Sequence, residues 1–270
     1  MQGQCSEKSD CEVCSERLTI SVVMATYNGS RFLREQMHTI IAELLEGDEL
    51  VIVDDASNDS TVADLYRFQW PSTHVLRNTK NLGIVKSFER ALGSAKGQFV
   101  FLCDQDDIWL PGKRYEIVKA FLNDPKVSVV VSDAQLIDES GRVTAKSFMA
   151  QRGGFVGGFW STFHKNRFLG CSMAIRRDVL EIALPIPNRV PMHDMWLGIV
   201  GGWVGRVKYI SHPLIQYRRH SNNVTTLNRR ALSKGLAFRL DLLSVVIPRF
   251  LAYKWHNMFK KHLVPHISRP

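Results

Sequence analysis

From Leu18 onward the chain alternates between two kinds of apolar spacing. Short β-branched and aliphatic runs (LTISVVMAT, ELVIVDD, THVLRN, GQFVFLCD and KVSVVVSD) predict strands that are apolar on both faces. Between them, SRFLREQMHTIIAELLE sets Phe32, Leu33, Met37, Ile40, Ile41 and Leu44 on one helical face. SNDSTVADLYRF opens on capping residues and continues as a helix, and GIVKSFERALGSAK and GKRYEIVKAFLND predict two more. Strands of this kind separated by helices predict an α/β fold: a mostly parallel sheet with helices on both faces.

After Asp133 the alternation breaks. QRGGFVGGFWSTFHKNRF has Gly and aromatics but no period, and predicts a long loop of the kind that carries function. FLGCSMAIRRDVL then predicts a strand running into a helix, HDMWLGIVGGWV a buried helix, and RVKYISHPLIQYRRH closing strands. The expected organisation is a flexible leader over 1–17, one domain over 18–228, and a basic amphipathic helical tail over 229–270.

A composition of 45% hydrophobic and 23% charged residues over 270 positions suits a soluble globular chain. The polar first twenty residues do not look like a signal peptide, and no apolar run reaches the length of a spanning helix, so a cytoplasmic location is expected. Cys103 and Cys171 lie in apolar runs and read as core. Cys5, Cys11 and Cys14 lack a fourth ligand nearby and read as free thiols in the leader. Charge separates the tail from the body. Arg229 to Pro270 holds nine Lys/Arg and one acid, and so carries eight of the nine excess positive charges.

The candidate chemistry sits at predicted strand ends, where open α/β sheets bind ligands. The first strand ends in Thr26, Tyr27 and Asn28, the second in Asp54, Asp55, Ser57 and Asp59, and the fourth in Asp104, Gln105, Asp106 and Asp107. Neither GxxxxGK[ST] nor a GxGxxG after the first strand is present to cradle a phosphate in backbone N–H groups. Asp104 and Asp106 lie two apart, and on an extended chain they would aim the same way. Hard carboxylate oxygens on one side suit Mg²⁺ or Mn²⁺, which would relieve their repulsion and bridge to a diphosphate.

SVVMATYNG, VIVDDASNDST, NLGIVKSFERAL, FLCDQDDIW, GCSMAI and HDMWLG stand in the order found in family 2 glycosyltransferases of GT-A fold, and the chain resembles that family from Leu18 to Asn223. The resemblance implies transfer of a sugar from a nucleotide diphosphate to an acceptor hydroxyl, with inversion. It places Thr26, Tyr27 and Asn28 along the nucleoside, and Asp54 and Asp55 at the donor, with Asp55 reading the base. Asn81, Gly83 and Gln105 fall near the donor, Asp104 and Asp106 at the metal, with Asp104 also at the donor, and Asp107 behind them or at the donor sugar. Asp194 is the implied base, since one carboxylate within reach of the incoming hydroxyl suffices for inversion. His193 would shape the site, His220 would be a third metal ligand, and Arg218 and Arg219 would grip the diphosphate.

A narrower similarity of CDQDDIWLPGK and YISHPLIQYRRHSNN is to bacterial rhamnosyltransferases that use dTDP-L-rhamnose to build surface polysaccharide. UDP-glucosyl or galactosyl transfer, a sugar-phosphate nucleotidyltransferase and a non-catalytic glycan- or lipid-binding relative stay open. The acceptor implied is a glycan or a lipid-linked saccharide. In the tail, Leu232, Leu236, Leu240, Leu243 and Ile247 fall near one helical face, and aromatics mingle with lysines beyond Pro248. That predicts attachment to an anionic membrane surface, the cytoplasmic leaflet, or else a helical hairpin packed on the domain. No nucleic-acid recognition module is present.

Overall fold

The apolar runs form strands where expected. A computed structural model describes residues 18–68, 70–158, 161–162, 166–220 and 232–263. In chain order the elements are β1 (Ile20–Thr26), α1 (Ser30–Ile41), β2 (Glu49–Asp54), α2 (Thr61–Leu65), β3 (Thr73–Arg77), α3 (Ile84–Ser94), β4 (Phe99–Cys103) and β5 (Ile108–Trp109). They continue with α4 (Lys113–Asn123), β6 (Val127–Ile137), β7 (Val143–Ala145), α5 (Phe148–Gln151), β8 (Met173–Arg176), α6 (Asp178–Ala183), α7 (His193–Val204), β9 (Arg206–Arg218) and α8 (Leu232–Leu263). The leader with Cys5, Cys11 and Cys14 lies outside the described residues, as do 159–160 and 163–165 of the aperiodic loop.

The strands make one mixed sheet in the order β3-β2-β1-β4-β8-β6-β9-β5, with β7 on β6. β1, β2, β3 and β4 pair in parallel, and β6 pairs in parallel with β9. β8 runs antiparallel between β4 and β6, which leaves those two pointing the same way. The sheet is therefore mostly parallel, with reversed strands at β8, β7 and β5. β2 and β4 are buried along their whole length, because helices cover them and neighbours flank them; β3, at the edge, is half-buried. The sequence pattern gave no sign of β5 or β7. A strand as short as β5 exists through its pairing, Ile108 with Gln216 and Trp109 with Ile215.

Register builds the functional edge. Thr26 lies level with Asp54, and Asp54 with Arg77, while Cys103 lies beside Met24. The residues that follow all four strands therefore emerge together.

The tail departs from the hairpin expectation. α8 is one helix that runs through Pro248. Its packed face is also not the predicted one. Leu242 and Val246 are buried, whereas Leu240 and Ile247 are exposed. Arg249 donates to the carbonyls of Ile182, Leu184 and Pro185, and the Tyr253 hydroxyl donates to the Trp203 carbonyl. Phe250 meets the Trp203 ring edge-on at 5.1 Å. The tail thus docks on α6 and the C-terminal end of α7.

Candidate active site

A cleft of about 680 Å³ opens at this sheet edge. Among the residues lining it are Thr26, Tyr27, Asn28, Asp55, Asn81, Gly83, Asp104, Gln105, Asp106, Asp194 and His220. Of the expected site residues, Asp54 does not line it. Its carboxylate is fully buried and spent on the Thr26 hydroxyl (3.2 Å), the Ser57 N–H (3.0 Å) and the Ser57 hydroxyl (2.5 Å). Asp54 holds the loop from below.

The walls on this side are tied by side chains. The Gln105 amide bonds both backbone groups of Tyr27, accepting from N–H at 2.9 Å and donating to the carbonyl at 3.1 Å. A Cβ on Gly29 would overlap that amide, so the bare glycine lets Gln105 hold this position. Asn28 stands at φ +46°, a left-handed position that asparagine tolerates, and its N–H donates to Ser57. Asp55 accepts from the Asn78 amide (2.7 Å), the Leu82 N–H (2.8 Å) and the Gly83 N–H (2.8 Å). Burial alone would raise Asp59, but hydrogen bonds from Thr61 and Ser30 hold its carboxyl below the usual range.

The Asp104–Asp107 stretch is built differently. The strand ends at Cys103 and the chain turns through Gln105 and Asp106. The extended geometry assumed for Asp104 and Asp106 is therefore replaced by a turn, which brings residues three apart together. Among the described residues, the ligand atoms within 4.8 Å of one another belong to Asp104, Asp107 and Cys171. Asp106 instead meets His220, Oδ2 to Nε2 at 2.7 Å. The expected Asp104, Asp106 and His220 share the cleft, but they do not form one tight set.

Electrostatics mark the same place. Burial first, then the charges of Asp106 and Asp194, push the Asp104 carboxyl up to about 7. Asp107 is pushed well above the usual range by burial and then by Asp106 and Asp104. It is fully buried, and one of its oxygens accepts from the Arg218 N–H (2.9 Å), so it braces the turn from behind. Lys113 is buried beneath, donating to the Cys171 carbonyl (2.8 Å) and lying 4.4 Å from the centroid of the Trp109 ring. Lys113 opens α4, and nothing in the sequence pattern singled it out. Arg218 does not reach into the cleft. Its guanidinium donates to the Asp106 carbonyl (2.9 Å) and pairs with Glu35 (2.5 Å), so the proposed grip on a diphosphate does not fall to it.

Asp194 sits in the first turn of α7, where its Oδ1 accepts from the Met195 N–H (2.5 Å) and the Asn166 amide (3.2 Å). Burial pushes its carboxyl up to about 6, against those bonds and the attraction of Arg152. Asn166 and Arg152 come from the aperiodic loop, where no periodicity singled them out. Met192, not Asp194, occupies the N-cap position of α7.

The donor set fits a hard divalent cation. Acids crowded enough to raise one another's proton affinity are stabilised by a positive ion. Carboxylates suit Mg²⁺ or Mn²⁺, and an imidazole beside them favours Mn²⁺ of the two. Burial keeps the Cys171 thiol protonated and so a poor ligand.

An α/β sheet whose strand ends surround such a cleft has its opening where this architecture takes ligands. The model of glycosyl transferase family 2 matches residues 21–182, and the chain belongs to that family. It is 26% identical over 215 residues to an uncharacterized glycosyltransferase of Nostoc sp., covering 76% of this chain and 66% of the relative. The first curated relatives are longer proteins, of which the chain spans 60% to 66%. Its fold is shared with S. aureus TarS 1-349 in complex with UDP-GlcNAc (TM-score 0.63, 18% identity, 84% of this chain and 67% of that one). It is also shared with the mannosyltransferase PcManGT of Pyrobaculum calidifontis in complex with GDP-Man and Mn²⁺ (TM-score 0.55, 22% identity, 72% and 54%).

Proposed function

We propose that the chain transfers a sugar, with inversion, from a nucleotide diphosphate to an acceptor hydroxyl. The observation that carries this is the meeting of Asp55, Asp104, Asp106 and Asp194, from separate segments, in one cleft. Asp104 and Asp106, with His220 beside them, would hold Mg²⁺ or Mn²⁺, which supplies Lewis-acid stabilisation of a diphosphate leaving group. Asp55 Oδ2 accepts one bond in the structure, which leaves capacity for the imide N–H of uracil or thymine. Asp194, raised toward neutrality, takes the proton from the incoming hydroxyl. The first donor to try is dTDP-L-rhamnose, then UDP-glucose and UDP-galactose. UDP-GlcNAc and GDP-mannose join the panel because TarS and PcManGT hold them. With Mn²⁺, nucleoside diphosphate should be released, and release should vanish in Asp194→Asn and Asp106→Ala. Pyrophosphate release would indicate nucleotidyl transfer, and no turnover with any donor would overturn the reading.

A second observation bears on location. α8 exposes Leu240, Ile247, Leu251, Trp255 and Met258. At 100° per residue these form one stripe, roughly 150° around from the packed face. No described helix is long and apolar enough to cross a membrane, so the stripe suits a helix lying in the lipid–water interface. The tail's charge favours an anionic leaflet and opposes self-association of two such tails. We infer peripheral attachment on this face, in keeping with a lipid-linked saccharide acceptor. Co-sedimentation with phosphatidylglycerol vesicles at low salt should fall at least tenfold in Leu251→Glu/Trp255→Glu. A concentration-dependent dimer lost in the same variant, or no binding to vesicles, would sink the idea.

A further inference from the structure

His193 is the most sharply defined polar side chain of the cleft that the proposed reaction leaves idle. It is 2% exposed, yet it lines the cleft. Neither ring nitrogen has a hydrogen-bond partner among the described residues. A buried donor or acceptor left unmade is costly, so a site that keeps two of them is built to have them filled. The ring is also held rigidly. It stacks on the buried Phe88 with centroids 3.9 Å apart and planes 18° from parallel, which fixes the plane in which both nitrogens lie. Gly170 keeps the approach open, since a Cβ there would meet Nε2 at 3.2 Å and the Asp194 Cβ at 3.6 Å. The ring nitrogen and the base therefore flank the same opening.

We infer that His193 binds a saccharide hydroxyl next to the reacting centre, which makes it a specificity residue of the transfer proposed above. The chemistry selects the ligand. Burial pushes the imidazole down to about 3, so it stays neutral, with one N–H donor and one bare acceptor. A hydroxyl, which both gives and takes a hydrogen bond, can serve whichever nitrogen faces it, the N–H or the bare acceptor. A phosphate, which only accepts, can serve the N–H alone.

This inference rests on the transferase reading, and the test separates the two. Binding of Mn²⁺, UDP, UDP-glucose, UDP-GlcNAc, dTDP-rhamnose and GDP-mannose is measured calorimetrically for wild type, His193→Phe and His193→Gln. Kinetics follow with the donor that turns over, with water and with a saccharide as acceptor. Phe keeps the stack on Phe88, and a thermal melt confirms the fold. Gln restores a donor and an acceptor. For a contact to the donor sugar, His193→Phe should bind UDP and Mn²⁺ as wild type does but lose about 10–100-fold of the tightening that the sugar adds. For a contact to the acceptor, donor hydrolysis should be unchanged, while kcat/KM for the saccharide falls by the same factor. In either case His193→Gln should recover part of the loss. Wild-type behaviour of His193→Phe in both assays would show that the nitrogens serve only water, and would overturn the inference. Equal loss of Mn²⁺ or UDP binding would also overturn it, by assigning His193 to metal or nucleotide. Wild-type protein that binds no nucleotide sugar would sink the transferase reading itself.

Discussion

Two groups of acids share the sheet edge but live in opposite surroundings. Asp54 ends β2 and Asp55 and Asp59 follow it, and each carboxylate accepts hydrogen bonds from named N–H or O–H groups around it, with Asp55 Oδ2 keeping room for one more. Asp104 and Asp194 line the cleft and Asp107 lies buried beside Asp104, and each is pushed above the ordinary carboxylate range, with burial the leading cause. The first group shapes a wall. The second stores an unfavourable charge that a cation or a proton can relieve. Burial alone does not mark an acid as chemical; what matters is whether its lone pairs are already filled.

The contrast can be broken by exchanging what the groups lack. The largest effect is expected at the base. Asp194→Asn keeps size and acceptor oxygen but cannot take a proton, so nucleotide release should fall about 10²–10⁴-fold with little change in melting temperature. Next comes the metal. On the proposed metal role of Asp104, binding would displace its proton, so Mn²⁺ affinity, followed calorimetrically, should weaken up to tenfold per pH unit below about 7. Asp106→Ala should lower affinity at every pH.

Stability without metal should also respond to pH. A carboxyl raised to about 7 in the folded chain and near 4 when unfolded binds its proton more tightly in the folded state. Between those values unfolding releases a proton, so metal-free stability falls as pH rises through the window. Asp104→Asn should flatten that slope in denaturant titrations, and saturating Mn²⁺ should do the same for wild type. The transfer rate should rise with pH through about 6, as Asp194 ionises. A flat rate profile over that range would remove Asp194 as the base.

The satisfied acids should report as structure. Asp55→Asn keeps one acceptor oxygen but sets an NH2 against either the Leu82 or the Gly83 N–H, and should cost about 1–3 kcal/mol in urea unfolding, with weaker nucleotide binding. Asp59→Ala should be the mildest, about 1 kcal/mol, since its main loss is the bond from the Thr61 N–H at the start of α2.

The central strands were legible because β1, β2 and β4 are apolar on both faces, and only a helix-covered sheet buries such runs. Asp55, Asp104, Asp106 and Asp194 were legible from their place at strand ends and from motif order. Asn166 and Arg152 were not, because they reach Asp194 from a segment without period. Lys113 was not, because a lysine in a first helical turn looks solvated until the fold lays Trp109 and the Cys171 carbonyl around it. The tail's amphipathic character was readable, but not which side packs, because two apolar stripes compete and only the surface of α6 and α7 selects Leu242 and Val246.

By itself, then, the sequence determined the α/β layering, since alternating apolar periods admit few burial schemes, and it brought the acids to one edge. The tertiary structure decided which acids are free to do chemistry. That depends on how many donors from distant segments reach each carboxylate, and on a turn after β4 that joins Asp104 to Asp107 and leaves Asp106 to His220. Hydrogen-bond saturation and burial are properties of three-dimensional neighbours, and spacing along the chain does not encode them.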